Sequence, residues 1–381
     1  MSGECKGMSR ELEAQDDSGM ERLTGPDGRK LLSIVVPAYN AENYLSVNLD
    51  SLCLPEALKD IEVLVIDDGS TDGTGRIAGQ YEKKYPETVR VITKENGGHG
   101  SGINRGIAEA RGLYFKVVDA DDWVERNAFL HLLTFLKEQA AAEGRAADLI
   151  ASGFYWVFDD GSGRINAFRR KAEFKKPFSG VRYRQVYHFD DIADKLYIKM
   201  HAMTIRTELL KCMIREYSLT IDENCYYVDA EYILYPIPFV ETVAFLPDFV
   251  YQYRIGRSGQ SVSLEKMQKN EANYDKVLRS LFLFYDRCRK EDITCSLPKV
   301  WYIAHVTARI VAGKIKILLS YPPSRSVQRQ LKEFDRNVRK QYPDIYRANI
   351  NRGVKLLRKS RFRLYPVAEA MLRRKDRLNH M

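Results

Sequence analysis

Between residues 31 and 118, four apolar, β-branched runs alternate with stripes of apolar residues at helical spacing, and few folds accommodate that alternation. The runs are 31–37, 61–66, 89–93 and 113–118. Each is short, bounded by turn residues and apolar on both faces, as a strand buried between two layers of helix must be. Between them Leu45, Leu49 and Leu52 follow Asn40, Ile77 and Tyr81 follow Asp72, and Ile103, Ile107 and Ala110 follow a glycine-rich loop at 97–102. Asn40 and Asp72 are the expected helix N-caps. Strands and helices in strict turn predict an α/β fold, a mostly parallel, Rossmann-like sheet flanked by helices. In such a sheet ligands gather beyond the carboxyl ends of the strands. Here those ends read Pro37-Ala38-Tyr39-Asn40, Asp67-Asp68-Gly69-Ser70, Lys94-Glu95-Asn96-Gly97-Gly98 and Asp119-Ala120-Asp121-Asp122, all of them polar and turn-rich.

The fourth run ends unusually, because three carboxylates close an apolar strand. On an extended segment, side chains two apart point the same way, so Asp119 and Asp121 are expected to share one side with Cα atoms roughly 6.6 Å apart. Two carboxylates so placed can hold a hard divalent cation when a phosphate completes the ligand set. Asp122 is expected to cap the next helix, where Phe129, Leu132, Leu133 and Leu136 form an apolar stripe.

Four motifs then occur in order: Ser33-Ile34-Val35-Val36-Pro37-Ala38-Tyr39-Asn40; Val65-Ile66-Asp67-Asp68-Gly69-Ser70-Thr71-Asp72-Gly73-Thr74; Glu95-Asn96-Gly97-Gly98 with Asn104-Arg105-Gly106; and Val118-Asp119-Ala120-Asp121-Asp122. Together they resemble the family 2 glycosyltransferases of GT-A fold, closely over 31–125 and more loosely to about residue 260. The resemblance implies an inverting, metal-dependent glycosyltransferase of the EC 2.4 type that moves a sugar from a nucleoside diphosphate donor to an acceptor hydroxyl. It implies that Asp68, or Asp67, accepts from the donor's base, which suits the N3–H of uracil and hence a UDP-sugar. Pro37, Ala38, Tyr39 and Asn40 would line the nucleoside pocket, with Gly98, Asn104, Ala120 and Arg254 further donor contacts. Asp119 would face ribose or metal, and Asp121 would bind Mg²⁺ or Mn²⁺ on the diphosphate. The acceptor's proton needs a general base. Family members place it in a Glu-Asp pair, matched here by Val228-Asp229, so Asp229 is the expected base and Glu231 its substitute. His99 and His201 are further candidates near the donor and acceptor, and Arg254 with Arg257, Ser258 and Ser261 resembles a segment that closes over the donor. The Gln-x-x-Arg-Trp signature of processive members is absent. A different class of reading keeps the fold without turnover, as a nucleotide-sugar or lipid-head-group binding module.

Composition bounds the rest. Residues 1–30 are polar and aperiodic and are expected to be a disordered extension. Residues 31–262 form the expected GT-A domain, with a nucleotide-sugar half at 31–125 and an acceptor half at 126–262. Residues 263–381 form a helical C-terminal extension, with Met267, Tyr274, Leu278, Leu281 and Tyr285 on one stripe and Trp301, Ala304, Ala308, Val311, Ile315 and Leu318 on another. Six scattered cysteines without a Cys-x-x-Cys pair argue against zinc and a disulfide framework. No apolar run reaches the ~18 residues of a membrane span. The net charge of +9 lies in the tail, where residues 336–381 hold fourteen Lys/Arg against three acids. No nucleic-acid motif accompanies them. The expected setting is therefore the cytoplasm, with peripheral contact between the basic tail and the inner face of an anionic membrane, in the assembly of glycan or cell-envelope polysaccharide on a glycan or lipid-linked acceptor.

Overall fold

The structure is a computed structural model that describes residues 29–142, 146–158, 171–172, 180–255 and 264–379. The chain divides into two compact units, one made of residues 1–224 and 235–257, the other of 225–234 and 258–381. The expected extension at 1–30 and the segment Arg257, Ser258 and Ser261 lie outside the described residues, apart from Arg29 and Lys30.

Among the described residues the first unit is built on one sheet of ten strands. In chain order these are β1 (Leu32–Ala38), β2 (Ile61–Asp67), β3 (Val89–Thr93), β4 (Tyr114–Val117), β5 (Trp123–Val124), β6 (Leu149–Phe158), β7 (Lys171–Ala172), β8 (Val186–His188), β9 (Met203–Arg206) and β10 (Thr242–Ile255). Their order across the sheet is β3-β2-β1-β4-β9-β6-β10-β5, with β7 beside β6 and β8 beside β10. The four strands expected from the apolar runs pair in parallel around β1, in register from Leu32 opposite Ile61 to Ala38 opposite Asp67, and from Leu32 opposite Tyr114 to Val35 opposite Val117. Short β9 runs antiparallel to both β4 and β6, and β10 runs parallel to β6. The six framework strands β3, β2, β1, β4, β6 and β10 therefore all point one way. Val35, Leu64, Val65, Phe115 and Val117 are fully buried, as the two helix layers require.

Two expected local features differ. The glycine-rich stretch is helical from its second glycine, as the helix Gly98–Glu109. Its glycines serve close packing: a Cβ on Gly106 would lie 2.4 Å from Val35 Cγ1, and one on Gly100 would lie 2.3 Å from the Asp222 carbonyl oxygen. Asn40 does not cap the helix Leu45–Leu52, which starts five residues later, after a turn. It sits instead at φ 48° and its Oδ1 accepts from the Thr71 amide at 2.9 Å, tying the loop after β1 to the loop after β2. Asp72 is not the N-cap residue either, since Gly73 occupies that position, but its Oδ1 accepts from the Thr74 amide at 2.9 Å where the helix Thr74–Lys84 begins.

The second unit is helical. The helix Leu297–Ser320 runs through it and packs against Glu271–Arg289, Arg325–Gln341, Pro343–Ala348 and Tyr365–Asn379. Ala304, Ala308, Val311, Ile315 and Leu318 are buried as the stripe predicted, but Trp301 is 43% exposed and stacks on His305 at its open side. Buried Lys314 is held by Glu271 and Asp275 at 2.5 and 2.6 Å, so its charge does not stand alone in the core. Among the described residues no helix is long and apolar enough to cross a membrane.

Candidate functional site at the carboxyl edge of the sheet

Because the six framework strands share one direction, the loops after β1, β2, β3 and β4 meet on one edge. β9 runs the other way, so the residues before it, including His201, reach that same edge. Near the end of β10, Tyr251 and Arg254 arrive there too.

Asp68 organises the loop after β3. Its carboxylate, 4% exposed, accepts from the amides of Gly97 and Gly98 at 2.9 and 2.7 Å and from Lys94 Nζ at 2.8 Å. Gly98 sits at φ 81°, which a side chain would resist. Asp67 caps its own turn through the Ser70 amide at 3.0 Å. Tyr39 projects from the edge half-exposed, Pro37 is partly exposed, and Ala38 is buried beneath them. Asn104 exchanges bonds of 2.8 and 3.0 Å with the backbone of Ile221.

The acid cluster takes a shape that strand alternation does not predict. β4 ends at Val117, and residues 119–122 form a turn closed by the Asp122 amide on the Asp119 carbonyl at 2.9 Å. In a turn, residues three apart converge, and here Asp122 comes to lie beside Asp119. Ligand atoms of Asp119, Asp122 and His201 lie within 4.8 Å of one another. Asp121 is partly exposed, and its carbonyl accepts from Arg254 Nε at 2.8 Å. Asp122 is not a helix cap; Glu125 has that role, accepting from the Ala128 amide at 2.7 Å. Asp122 is 1% exposed and accepts from the Tyr251 hydroxyl at 2.6 Å and the Arg254 amide at 2.7 Å. The Arg254 guanidinium is buried over the rings of Tyr44 and Trp123, at 5.0 and 4.9 Å, and so clamps the acid loop. Asn48 completes the brace, donating to the carbonyls of Asp119 and Asp122 at 3.0 Å each.

The electrostatics suit a bound cation. Burial, then the charges of Asp121 and Asp119, push the Asp122 carboxyl well above its ordinary value. Burial works in the same direction on Asp119, but His99, whose Nε2 lies 2.8 Å from Oδ1, together with His201 and the Tyr251 hydroxyl, outweighs it and holds that carboxyl low. Burial pushes His201 down to about 4, so the imidazole is neutral at pH 7 and can ligate without losing a proton. Its Nδ1 is buried without a hydrogen-bond partner. An orphaned imidazole nitrogen beside two carboxylates, one of them destabilised by like charge, is a set that a divalent cation satisfies. Beneath it, Lys116 is fully buried and donates to the carbonyls of His201 and Met203 at 2.9 and 3.1 Å; burial lowers it to about 7.

His201 also makes stability depend on pH. Its folded value lies below the ordinary 6.5, so the unfolded chain takes up that proton first as pH falls. Stability associated with the neutral ring is complete above about pH 6.5 and is lost as the pH falls to about 4. The loss is of order 3 kcal/mol. His201→Gln is expected to flatten this limb, as read from Tm at pH 7 and pH 4 against wild type.

Sequence reasoning missed Asn48 as part of the site and placed Asp122 at a helix start. The expected base, Asp229, opens the helix Asp229–Leu234 of the second unit, where it is exposed; Glu231 in the same helix is fully buried.

A sheet whose parallel strands carry a braced glycine loop and an acid cluster at their carboxyl edge is the GT-A architecture. Residues 33–192 match the family model described as Glycosyl transferase family 2. The fold is similar to that of S. aureus TarS 1–349 in complex with UDP-GlcNAc, with a TM-score of 0.53 and 17% identity over 92% of this chain and 89% of that one. The uncharacterized glycosyltransferase EpsJ of Bacillus subtilis is 41% identical over 125 residues, which are 33% of this chain and 34% of EpsJ. The minor teichoic acid biosynthesis protein GgaB of the same organism is 26% identical over 256 residues, 66% of this chain and 25% of GgaB. The poly(ribitol-phosphate) beta-glucosyltransferase of Bacillus spizizenii is 44% identical over 110 residues, 28% of this chain and 17% of that protein. The chain thus matches about a third or less of the length of these curated relatives.

Proposed function

We propose that the protein transfers a sugar, with inversion, from a nucleoside diphosphate sugar to a hydroxyl of a glycan or lipid-linked acceptor, in cell-envelope polysaccharide synthesis at the cytoplasmic face of a membrane. The observation that carries the reading is the convergence of Asp119, Asp122 and His201 beside the Asp68-braced loop, on the ligand edge of a family 2 fold. Those three residues would hold Mg²⁺ or Mn²⁺, which supplies charge neutralisation for the departing nucleoside diphosphate. Tyr39, with Pro37 and Asn40, lines the nucleoside end of the cleft, and the Asp67 and Asp68 loop reads the base. Because Asp68 is occupied by Gly97, Gly98 and Lys94, its part in base reading is to fix that loop, with Asp67 in the adjoining turn. A UDP-sugar is the favoured donor, in keeping with the UDP-GlcNAc complex of TarS. Asp229 takes the acceptor's proton; its exposure favours it over Glu231, which is fully buried.

The test is release of nucleoside diphosphate from UDP-, GDP- and dTDP-sugars with Mn²⁺, Mg²⁺ or chelator, alongside equilibrium binding of each donor. Metal-dependent release from one donor is the expected result and names the sugar. Tight metal-dependent binding with no release across a panel of glycan and lipid-linked acceptors would favour a binding module. No binding of any nucleotide would overturn the site.

A further inference from the structure

The second unit ends in a surface whose chemistry is separate from the cleft. Residues 352–373 hold seven Lys/Arg and one acid, Glu369, which is buried and paired with Arg373. Arg358 is likewise internal to the fold: it pairs with Asp335 at 2.8 Å and stacks 3.6 Å from the Tyr346 ring centroid. The other five, Arg352, Lys355, Lys359, Arg361 and Arg363, are exposed and have no acid partner among the described residues.

Their spacing gives this charge a direction. On the helix Arg352–Lys359, positions 352, 355, 356 and 359 fall on one face, opposite buried Val354 and Leu357. The exposed face is therefore three cations around one apolar residue, Leu356. Arg361 and Phe362 then turn the chain through the left-handed region at φ 51° and 60°, with Phe362 buried and its amide bonded to the Leu357 carbonyl at 2.7 Å. That turn leaves Arg361 and Arg363 outward. In the following helix, Leu364, Val367 and Met371 repeat at three and four residues on the side opposite Tyr365 and Glu369, and Met371 is 69% exposed.

We propose that this surface, residues 352–373, docks on an anionic lipid bilayer, with Leu356, Leu364, Val367 and Met371 entering the head-group boundary and the five cations facing lipid phosphates. Interleaved cations and aliphatic side chains on a helix too polar to span a membrane are the signature of a helix that lies in the interface. A second copy of the chain is disfavoured because a symmetric contact would set the same five cations against each other. Duplex nucleic acid would use the charge but leave four aliphatic side chains in water. The inference rests on the proposed envelope role for its purpose, bringing the protein to membrane-borne acceptors, but its assay needs neither donor nor acceptor.

The full chain is mixed with phosphatidylcholine vesicles, with and without phosphatidylglycerol, and bound protein is measured by sedimentation at low and high salt. Binding is expected on the anionic vesicles alone and is expected to fall as salt rises. Since each cation near such a surface acts independently to a first approximation, Lys355→Gln/Lys359→Gln/Arg363→Gln is expected to weaken it roughly a hundredfold. Leu356→Ser/Met371→Ser is expected to weaken it at unchanged salt dependence. All five substituted positions are exposed, and an unchanged Tm and circular dichroism spectrum report that each variant is folded. Equal binding to neutral and anionic vesicles, no vesicle binding, indifference to the triple substitution, or tighter binding to duplex DNA at the same salt would each overturn the inference. Loss of donor turnover with vesicle binding intact would count against the transferase reading and leave this one standing.

Discussion

The Asp122→Asn variant is expected to lose donor turnover by about a thousandfold, close to 4 kcal/mol of transition-state stabilisation, and yet to be no less stable than wild type without metal. The two halves of this expectation have one cause. In the metal-free protein an ionised Asp122 is penalised by burial and by the charges of Asp121 and Asp119, which is why its carboxyl titrates high. A neutral amide of the same shape removes that penalty. It keeps one oxygen for the Arg254 amide, while the Tyr251 hydroxyl, which also accepts from the Asp119 amide at 3.1 Å, can rotate toward a new partner. With a divalent cation the order reverses, since an amide oxygen is a poorer ligand than a carboxylate for a hard ion. Thermal unfolding with and without Mn²⁺ separates the effects: wild type is expected to gain stability with the metal and Asp122→Asn to gain little. Turnover within tenfold of wild type, or an undiminished metal-induced rise in Tm, would remove Asp122 from the site.

Side-chain groups contributed by distant segments explain what the sequence could and could not reveal. β1 to β4 were legible because each is a continuous apolar run, and a strand buried on both faces has no other pattern to show. Their polar carboxyl ends followed from strand direction alone. The turn after β4 was not legible, because whether 119–122 extends or curls is decided by Asn48, 71 and 74 residues away from the carbonyls it holds, and by Arg254, 132 residues beyond Asp122. Once the segment curls, the spacing rules of a strand do not reveal that Asp122 comes to lie beside Asp119. Asn48 gave one signal in its own right, a polar residue inside the Leu45, Leu49 and Leu52 stripe, which in a helix facing the core asks for a buried partner. The antiparallel insertion of β9, only four residues long, carries too little pattern to predict, and with it went the route by which His201 reaches the edge. In the second unit the long helices were legible from periodicity, whereas the exposure of Trp301 depends on which neighbours cover each stripe.

Asp229→Asn is expected to lower kcat by a factor of 10² to 10⁴, the range for a lost general base, with donor affinity and metal dependence unchanged. The asymmetry within its helix makes the assignment testable against its neighbour. Asp229 is exposed at the first position of Asp229–Leu234, whereas Ala230, Glu231, Tyr232, Ile233 and Leu234 are buried. A carboxylate meant to meet an acceptor hydroxyl must be reachable, and one that is wholly buried serves packing or an internal bond. Glu231→Gln is accordingly expected to show its effect in Tm, with kcat falling only in proportion to the folded fraction. The measurements are kcat and KM for donor and acceptor, and donor affinity at equilibrium, for both variants. A kcat for Asp229→Asn within threefold of wild type, together with a large specific loss in a fully folded Glu231→Gln, would transfer the role to Glu231. Loss of donor affinity in Asp229→Asn would instead assign that carboxylate to the donor, because an acceptor's base acts only once the donor is bound.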